Sequence, residues 1–330
     1  MTKYTGLTAT DDLFSLTADG FIPRAIELFR FQYAQNPLYR RYTDALGIDP
    51  AGVSDITAIP FLPVAFFRTH AVKTTDYLPE TIFTSSGTSG MATSRHEIRD
   101  LALYKASFTA GFRHFYGAPA DWCIIGLLPS YLERTSSSLV FMVNELIGLS
   151  GHPDSGFYLY EHDILHSVLQ RLEERGQKTL LIGVTFALLD FADRYAMRLS
   201  HTVVMETGGM KGRRRELTRP ELHAYLTGRL GVKVIHAEYG MTELLSQAYS
   251  PGHGVFACPP WMRVLVRSED DPLEVRTEGS GILNIVDLAN RWSCAFLAVD
   301  DVGAVRPDGG FEVSGRLDNS DLRGCSLLVS

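Results

Sequence analysis

The stretch Phe83-Thr84-Ser85-Ser86-Gly87-Thr88-Ser89-Gly90 sets two glycines and five hydroxyls within eight residues. Gly87 and Gly90 let the backbone turn with positive φ and approach a ligand closely. Successive loop N–H groups, with hydroxyls beside them, form a concave donor surface suited to phosphate. A plain Ser/Gly surface turn is the competing reading of the octet taken by itself. Leu78 to Phe83 reads as extended, and Ser94-Arg95-His96-Glu97-Ile98 resumes extended structure, so the loop lies between two strands. A Walker-type loop needs G-x-x-x-x-G-K-[ST] leading straight into a helix. No lysine follows Gly90 here. Phosphates held by this loop would therefore sit in a different fold.

Other chemistry-bearing residues lie further along. Tyr239-Gly240-Met241-Thr242-Glu243 follows an apolar run. Its Tyr could stack on a flat base, and its Glu could hold a hard cation such as Mg²⁺; a buried Tyr beside a helix-opening Thr-Glu is the plainer account. Val299-Asp300-Asp301-Val302-Gly303 ends a strand with paired acids, which suit ribose hydroxyls or a turn. Gly315-Arg316-Leu317-Asp318 comes next, then Arg323-Gly324-Cys325. Gly208-Gly209-Met210-Lys211 closes another apolar run.

Several elements must position these groups. Pro23 to Leu46 has a helical apolar face broken at Pro37. Ile59 to Phe67 is apolar, punctuated by proline, and reads as a lid or brace. Asp100 to His114 and Ser136 to Ile147 read as helices, the second capped by its serine cluster. Trp122 to Leu128 is a continuous apolar run, as in a parallel strand covered on both faces. Leu180–Val184, His201–Glu206 and Val232–Ala237 read as a second, third and fourth strand, with a helix over Glu216 to Leu230 between the last two. The alternation predicts an α/β fold with a mostly parallel sheet, whose ligands sit beyond the carboxyl ends of the strands. From about Pro251 short strands with Gly, Asp and Pro turns predict a smaller antiparallel β lobe. The expected division is residues 1–250 for the α/β core and 251–330 for the β-rich lobe, both within one large domain.

Composition sets outer limits. The chain has 330 residues and a net charge of −7, which argues against a broad nucleic-acid surface. Its four cysteines lack zinc spacing and suit a reducing cytosol. The first residues lead into no apolar signal region, and no run reaches membrane-spanning length. A cytoplasmic protein without a transmembrane segment is expected.

In their order, the Ser85 to Gly90 loop, the Gly208-Gly209 pair, Tyr239 to Glu243, Asp301 and Gly315 to Asp318 resemble the motifs of the adenylate-forming enzymes, namely acyl-CoA synthetases, luciferases and nonribosomal adenylation domains. The Tyr-Gly-x-Thr-Glu motif matches residue for residue, whereas Thr-Gly-Asp matches only at Asp301. The loop followed by Ser94-Arg95-His96 is similar to the LuxE-type acyl-protein synthetases. So are Leu127 to Arg134, Glu206 to Arg214, Glu238 to Gln247, Asp287-Leu288-Ala289-Asn290 and the closing Arg323-Gly324-Cys325. This similarity runs over nearly the whole chain.

The resemblance implies the N-terminal domain of an adenylate-forming enzyme, with ATP and Mg²⁺ as cofactors. A fatty or other carboxylic acid would become acyl-AMP. The acyl group would pass to a cysteine and then to a LuxC-type, acyl-CoA reductase-like partner. Ser85, Ser86, Gly87, Thr88, Ser89 and Gly90 would hold phosphate, beside Gly208 and Gly209. Tyr239 would take the adenine face, with Gly240 and Thr242 also binding the cofactor, Asp301 with Arg316 the ribose, and Glu243 the metal. Cys325, at the family position and following Arg323 and a flexible Gly324, would be the acyl acceptor. Cys123 and Cys294 read as buried, and Cys258 lies in a loop. Full members of the superfamily continue past the Gly-Arg-x-Asp hinge into a mobile domain carrying a catalytic lysine. This chain stops twelve residues after Asp318, so that domain is expected to be absent. Lys211 would then supply charge at the phosphates, or be a solvated turn residue; His96 would meet carboxylate or phosphate, or make a structural hydrogen bond. A CoA ligase using free CoA and a non-catalytic subunit of a reductase are the competing functions.

Overall fold

The computed structural model describes residues 13–85, 93–129, 135–208 and 217–317. The chain opens with α1 (Ala18–Gln35) and α2 (Pro37–Ala45). Their break falls at the expected proline: the Asn36 side chain accepts from Leu38 and Tyr39 N–H groups and caps α2, with Pro37 in its first turn. The proline-punctuated segment contributes β1 (Leu62–Pro63), and α3 (Phe66–Thr69) follows directly. The hairpin β2 (Thr81–Thr84) and β3 (Arg95–Ile98) pairs Phe83 with His96 and Thr84 with Arg95. It thus flanks the glycine loop on both sides, as its sequence neighbours predict.

Next come α4 (Leu101–Tyr116), β4 (Cys123–Leu127), α5 (Ser138–Ser150), β5 (Gly156–Phe157), α6 (His162–Glu174), β6 (Thr179–Gly183), α7 (Thr185–Arg194), β7 (Thr202–Thr207), α8 (Arg219–Leu230), β8 (His236–Tyr239) and β9 (Ala248–Ser250). The sheet order is β5-β4-β6-β7-β8-β9, parallel except for β9. Every residue of β4 and β6 is buried, because helices cover both faces of a parallel sheet. A capping box between Thr218 and Glu221 starts α8. The strand expected over Val232–Ala237 is shifted: β8 runs instead to Tyr239, and this carries Tyr239 to the sheet's carboxyl edge.

The second sheet contains β10 (Val255–Phe256), β11 (Met262–Arg267), β12 (Val275–Arg276), β13 (Gly279–Asp287), β14 (Phe296–Val305) and β15 (Phe311–Arg316), in the order β10-β15-β14-β13-β11-β12. Its pairings are antiparallel, with one addition from the N-terminal half. There β1 lies parallel to β14, with Leu62 opposite Leu297. Within the Ile59–Phe67 segment Leu62 and Pro63 thus join the second sheet, so the segment acts as a brace rather than a lid. Phe29, Tyr39, Phe61 and Phe296 form an aromatic core beneath it. Among the described residues no helix is long and apolar enough to cross a membrane.

Candidate active site

The carboxyl ends of β7 and β8, the tip of the β14–β15 ribbon and the β2–β3 hairpin meet at one place. Register alone brings Asp301 opposite Arg316 in the ribbon. Arg316 Nε lies 3.1 Å from Asp301 Oδ1, while Tyr239 Oη donates to Asp301 Oδ2 at 2.6 Å. Three residues singled out in the sequence, from three strands, thus share one carboxylate. The Tyr239 ring packs edge-on against Phe311, with centroids 5.4 Å apart. Burial, and then the Asp301 charge, hold its phenol well above the ordinary tyrosine range.

Glu243 follows Tyr239 by one turn and is buried. Burial pushes its carboxyl up; a hydrogen bond from Ser94 and the charges of Arg316 and Arg68 work against that shift. Asn290 Nδ2 fixes the local backbone by donating to the Glu243 carbonyl at 2.7 Å. Among the described residues no cluster of three or more His, Cys, Asp or Glu forms a protein cage for a metal. A lone buried carboxylate nevertheless fits Mg²⁺, which binds through one or two carboxylates together with water and substrate phosphate.

His96 is wholly enclosed. Nδ1 donates to the Thr242 carbonyl at 2.8 Å, and Nε2 lies 2.9 Å from Ser293 Oγ. Burial holds the imidazole down at about 4, leaving it neutral at pH 7. Of its two sequence readings, the structural hydrogen bond is the one realised: with both nitrogens occupied, His96 offers no free group to a carboxylate or phosphate. Ser85 is also partly engaged. Its Oγ accepts from Ser94 N at 2.9 Å and its own N–H donates to the Ser94 carbonyl at 3.1 Å, which closes the neck of the glycine loop.

Two glycines at the site have steric reasons. Gly208 has φ of +74°, and its carbonyl accepts from Thr185 Oγ1 at 2.6 Å. A Cβ at Gly240 would collide with Glu238 Oε1. Ser86, Gly87, Thr88, Ser89, Gly90, Gly209, Lys211 and Cys325 lie outside the described residues. Burial pushes the thiols of Cys123 to about 11 and of Cys258 and Cys294 to about 12, so none is poised as a thiolate.

Sequence reasoning missed three contributors. Asp287 is fully buried and accepts from Leu245 N, Ser246 N, Ser246 Oγ and Ala289 N, clamping the segment after Glu243. Its place in a resembling stretch was the available signal. Glu238, hydrogen-bonded by Thr207 Oγ1, is pushed by burial to about 7. Arg68 had no local signal at all.

The fold is similar to that of ATP-bound MatB from Rhodopseudomonas palustris, with a TM-score of 0.54 and 16% identity over 83% of this chain and 52% of that one. It is also similar to 2-hydroxyisobutyryl-CoA ligase in complex with 2-HIB-AMP, with a TM-score of 0.63 and 14% identity over 92% of this chain and 68% of the ligase. A luciferase-like enzyme from the nonluminescent mealworm Zophobas morio gives a TM-score of 0.50 and 17% identity over 74% and 60%. The chain has the fold of the N-terminal domain of adenylate-forming enzymes, with its parallel sheet and antiparallel β lobe. It spans about half the length of MatB. No protein-family model and no curated protein matches the chain.

Proposed function

We propose that the chain activates a carboxylic acid with ATP and passes the acyl group to a thiol. The observation that carries this reading is the convergence of Tyr239, Asp301 and Arg316 beside buried Glu243, at the carboxyl edge of a sheet with this fold. Tyr239 would offer a ring face to adenine, and Asp301 would accept from ribose hydroxyls. The substrate carboxylate oxygen attacks the α-phosphorus, the bond to the bridging oxygen of the β-phosphate breaks, and pyrophosphate leaves. Both reactants are anionic, so alignment and charge neutralisation set the barrier. When bound, Mg²⁺ on Glu243 would screen the phosphate charge. Ser85 to Gly90, with Gly208 and Gly209, would cradle the phosphates, and Lys211 would add charge.

In the second half-reaction a thiolate attacks the acyl carbonyl and AMP departs, leaving a thioester. Cys325 is the proposed acceptor, a fatty acid the proposed substrate, and a LuxC-type reductase the proposed partner. The motif order and the raised thiols of the other three cysteines support this choice. Pyrophosphate exchange across a panel of carboxylic acids tests the first step, and absence of exchange with every acid defeats it. Radiolabelled acid plus ATP tests the second: the wild type should be labelled and Cys325→Ser should not. Product release that depends on CoA, with no protein label, would replace the protein acceptor with free CoA.

A further inference from the structure

Two negatively charged reactants need more positive charge than Arg316 supplies, and α3 brings a second arginine to the same place. The chain enters α3 from β1, which is fixed on β14: Val64 N donates to the Ala298 carbonyl at 2.9 Å. Phe67 then packs its ring against His96, centroids 5.5 Å apart, and His96 in turn holds the Thr242 carbonyl. The residue after Phe67 is Arg68, so α3 is braced by the β1–β14 pairing and by the β2–β3 hairpin against the turn that carries Glu243. Arg68 is half-buried, and among the described residues its side chain has no hydrogen bond or ion pair. Its charge nevertheless acts on Glu243. A guanidinium so rigidly mounted, yet without a carboxylate of its own, is suited to an anion that arrives from outside.

We propose that Arg68 is a phosphate-contacting residue that binds the β- and γ-phosphates of the nucleotide and, after adenylation, the departing pyrophosphate. The assignment rests on the adenylating function proposed above. Tyr239 and Asp301 mark the nucleoside end of the site. Arg68 follows Phe67, which packs on His96 of β3, and its charge reaches Glu243 from that side, where the outer phosphates would lie. It thus answers the lack of a lysine after Gly90 with a residue brought in from the N-terminal half.

Equilibrium titration of the full chain with ATP and with AMP, both in Mg²⁺, tests this. Arg68→Ala should weaken ATP about tenfold or more, the scale of a lost charge-assisted hydrogen bond, and AMP less than twofold. Arg68→Lys should recover part of the loss, since it keeps the charge without the fork. Retained AMP binding shows that each variant is folded. Equal weakening of both nucleotides, or unchanged ATP affinity, overturns the assignment of Arg68 while leaving the adenylation reading intact. A wild-type chain that binds no ATP overturns both.

Discussion

Tyr239 and Asp301, from different sheets, meet in a 2.6 Å hydrogen bond that fixes how the β14–β15 ribbon sits on the carboxyl edge of β8. Removing either partner has a distinct consequence. Asp301→Ala leaves a half-buried phenol unpaired and removes the acceptor proposed for ribose. It should cost about 1–3 kcal/mol of stability and weaken nucleotide binding. Tyr239→Phe keeps the ring and frees the carboxylate, so nucleotide affinity should fall less. Denaturant unfolding and nucleotide titration of the two variants check this order, and a Phe variant weaker than the Ala variant would contradict it.

Glu243→Gln should separate stability from activity. Burial disfavours the Glu243 charge, so the neutral isostere should fold as stably as the wild type or better. Pyrophosphate exchange should drop about 100-fold, the scale of losing one electrostatic contact in a transition state. Thermal melting beside exchange rates at several Mg²⁺ concentrations tests the pair. Parallel losses in both would mean that Glu243 is structural.

Much of this site was legible because its residues cluster in short motifs at strand ends. The continuous apolar runs of β4 and β6 announced a covered parallel sheet, and the extended flanks of the glycine loop became β2 and β3. What escaped depends on approach through space. Two residues of β1, one of them proline, carry no strand pattern; only β14 gives them partners. The β-branched Val232, Val234 and Ile235 place the start of the expected Val232–Ala237 strand, yet the ladder to β7 begins at His236. His96 carries a charge-capable ring, and its neutral state follows from burial that no local pattern reveals. Arg68 and Asp287 acquire their roles only once α3 and the end of β13 come against Glu243 and the segment that follows it.

Asp287 should prove the most sensitive structural position near the site. Four donors converge on its two oxygens, and they offset the desolvation that pushes its carboxyl up. Asp287→Ala strands three buried N–H groups, at Leu245, Ser246 and Ala289, and the expected cost is about 3 kcal/mol or more. Trp261 Nε1 also donates to Ser246 Oγ, at 2.9 Å, so its fluorescence should report the loosening. A variant with wild-type melting and emission would rule out the clamp.

Two buried groups should tilt the pH profile in opposite directions. His96 is held at about 4 against an ordinary 6.5, so between those values the unfolded chain binds more protons and stability falls as pH is lowered. Glu238 is held at about 7 against 4.5, so the folded chain binds more protons and stability falls as pH is raised through that window. Each amounts to about 3 kcal/mol, and their slopes oppose each other between the unfolded value of Glu238 and that of His96. Glu238→Gln keeps an acceptor for Thr207 Oγ1 and removes only the titration. Its stability relative to wild type should be near zero at about pH 4.5 and rise to about 3 kcal/mol by pH 8. Denaturant unfolding at acidic, neutral and alkaline pH measures that difference. A gap that stays constant across the series would show that Glu238 does not titrate between its unfolded value and neutrality.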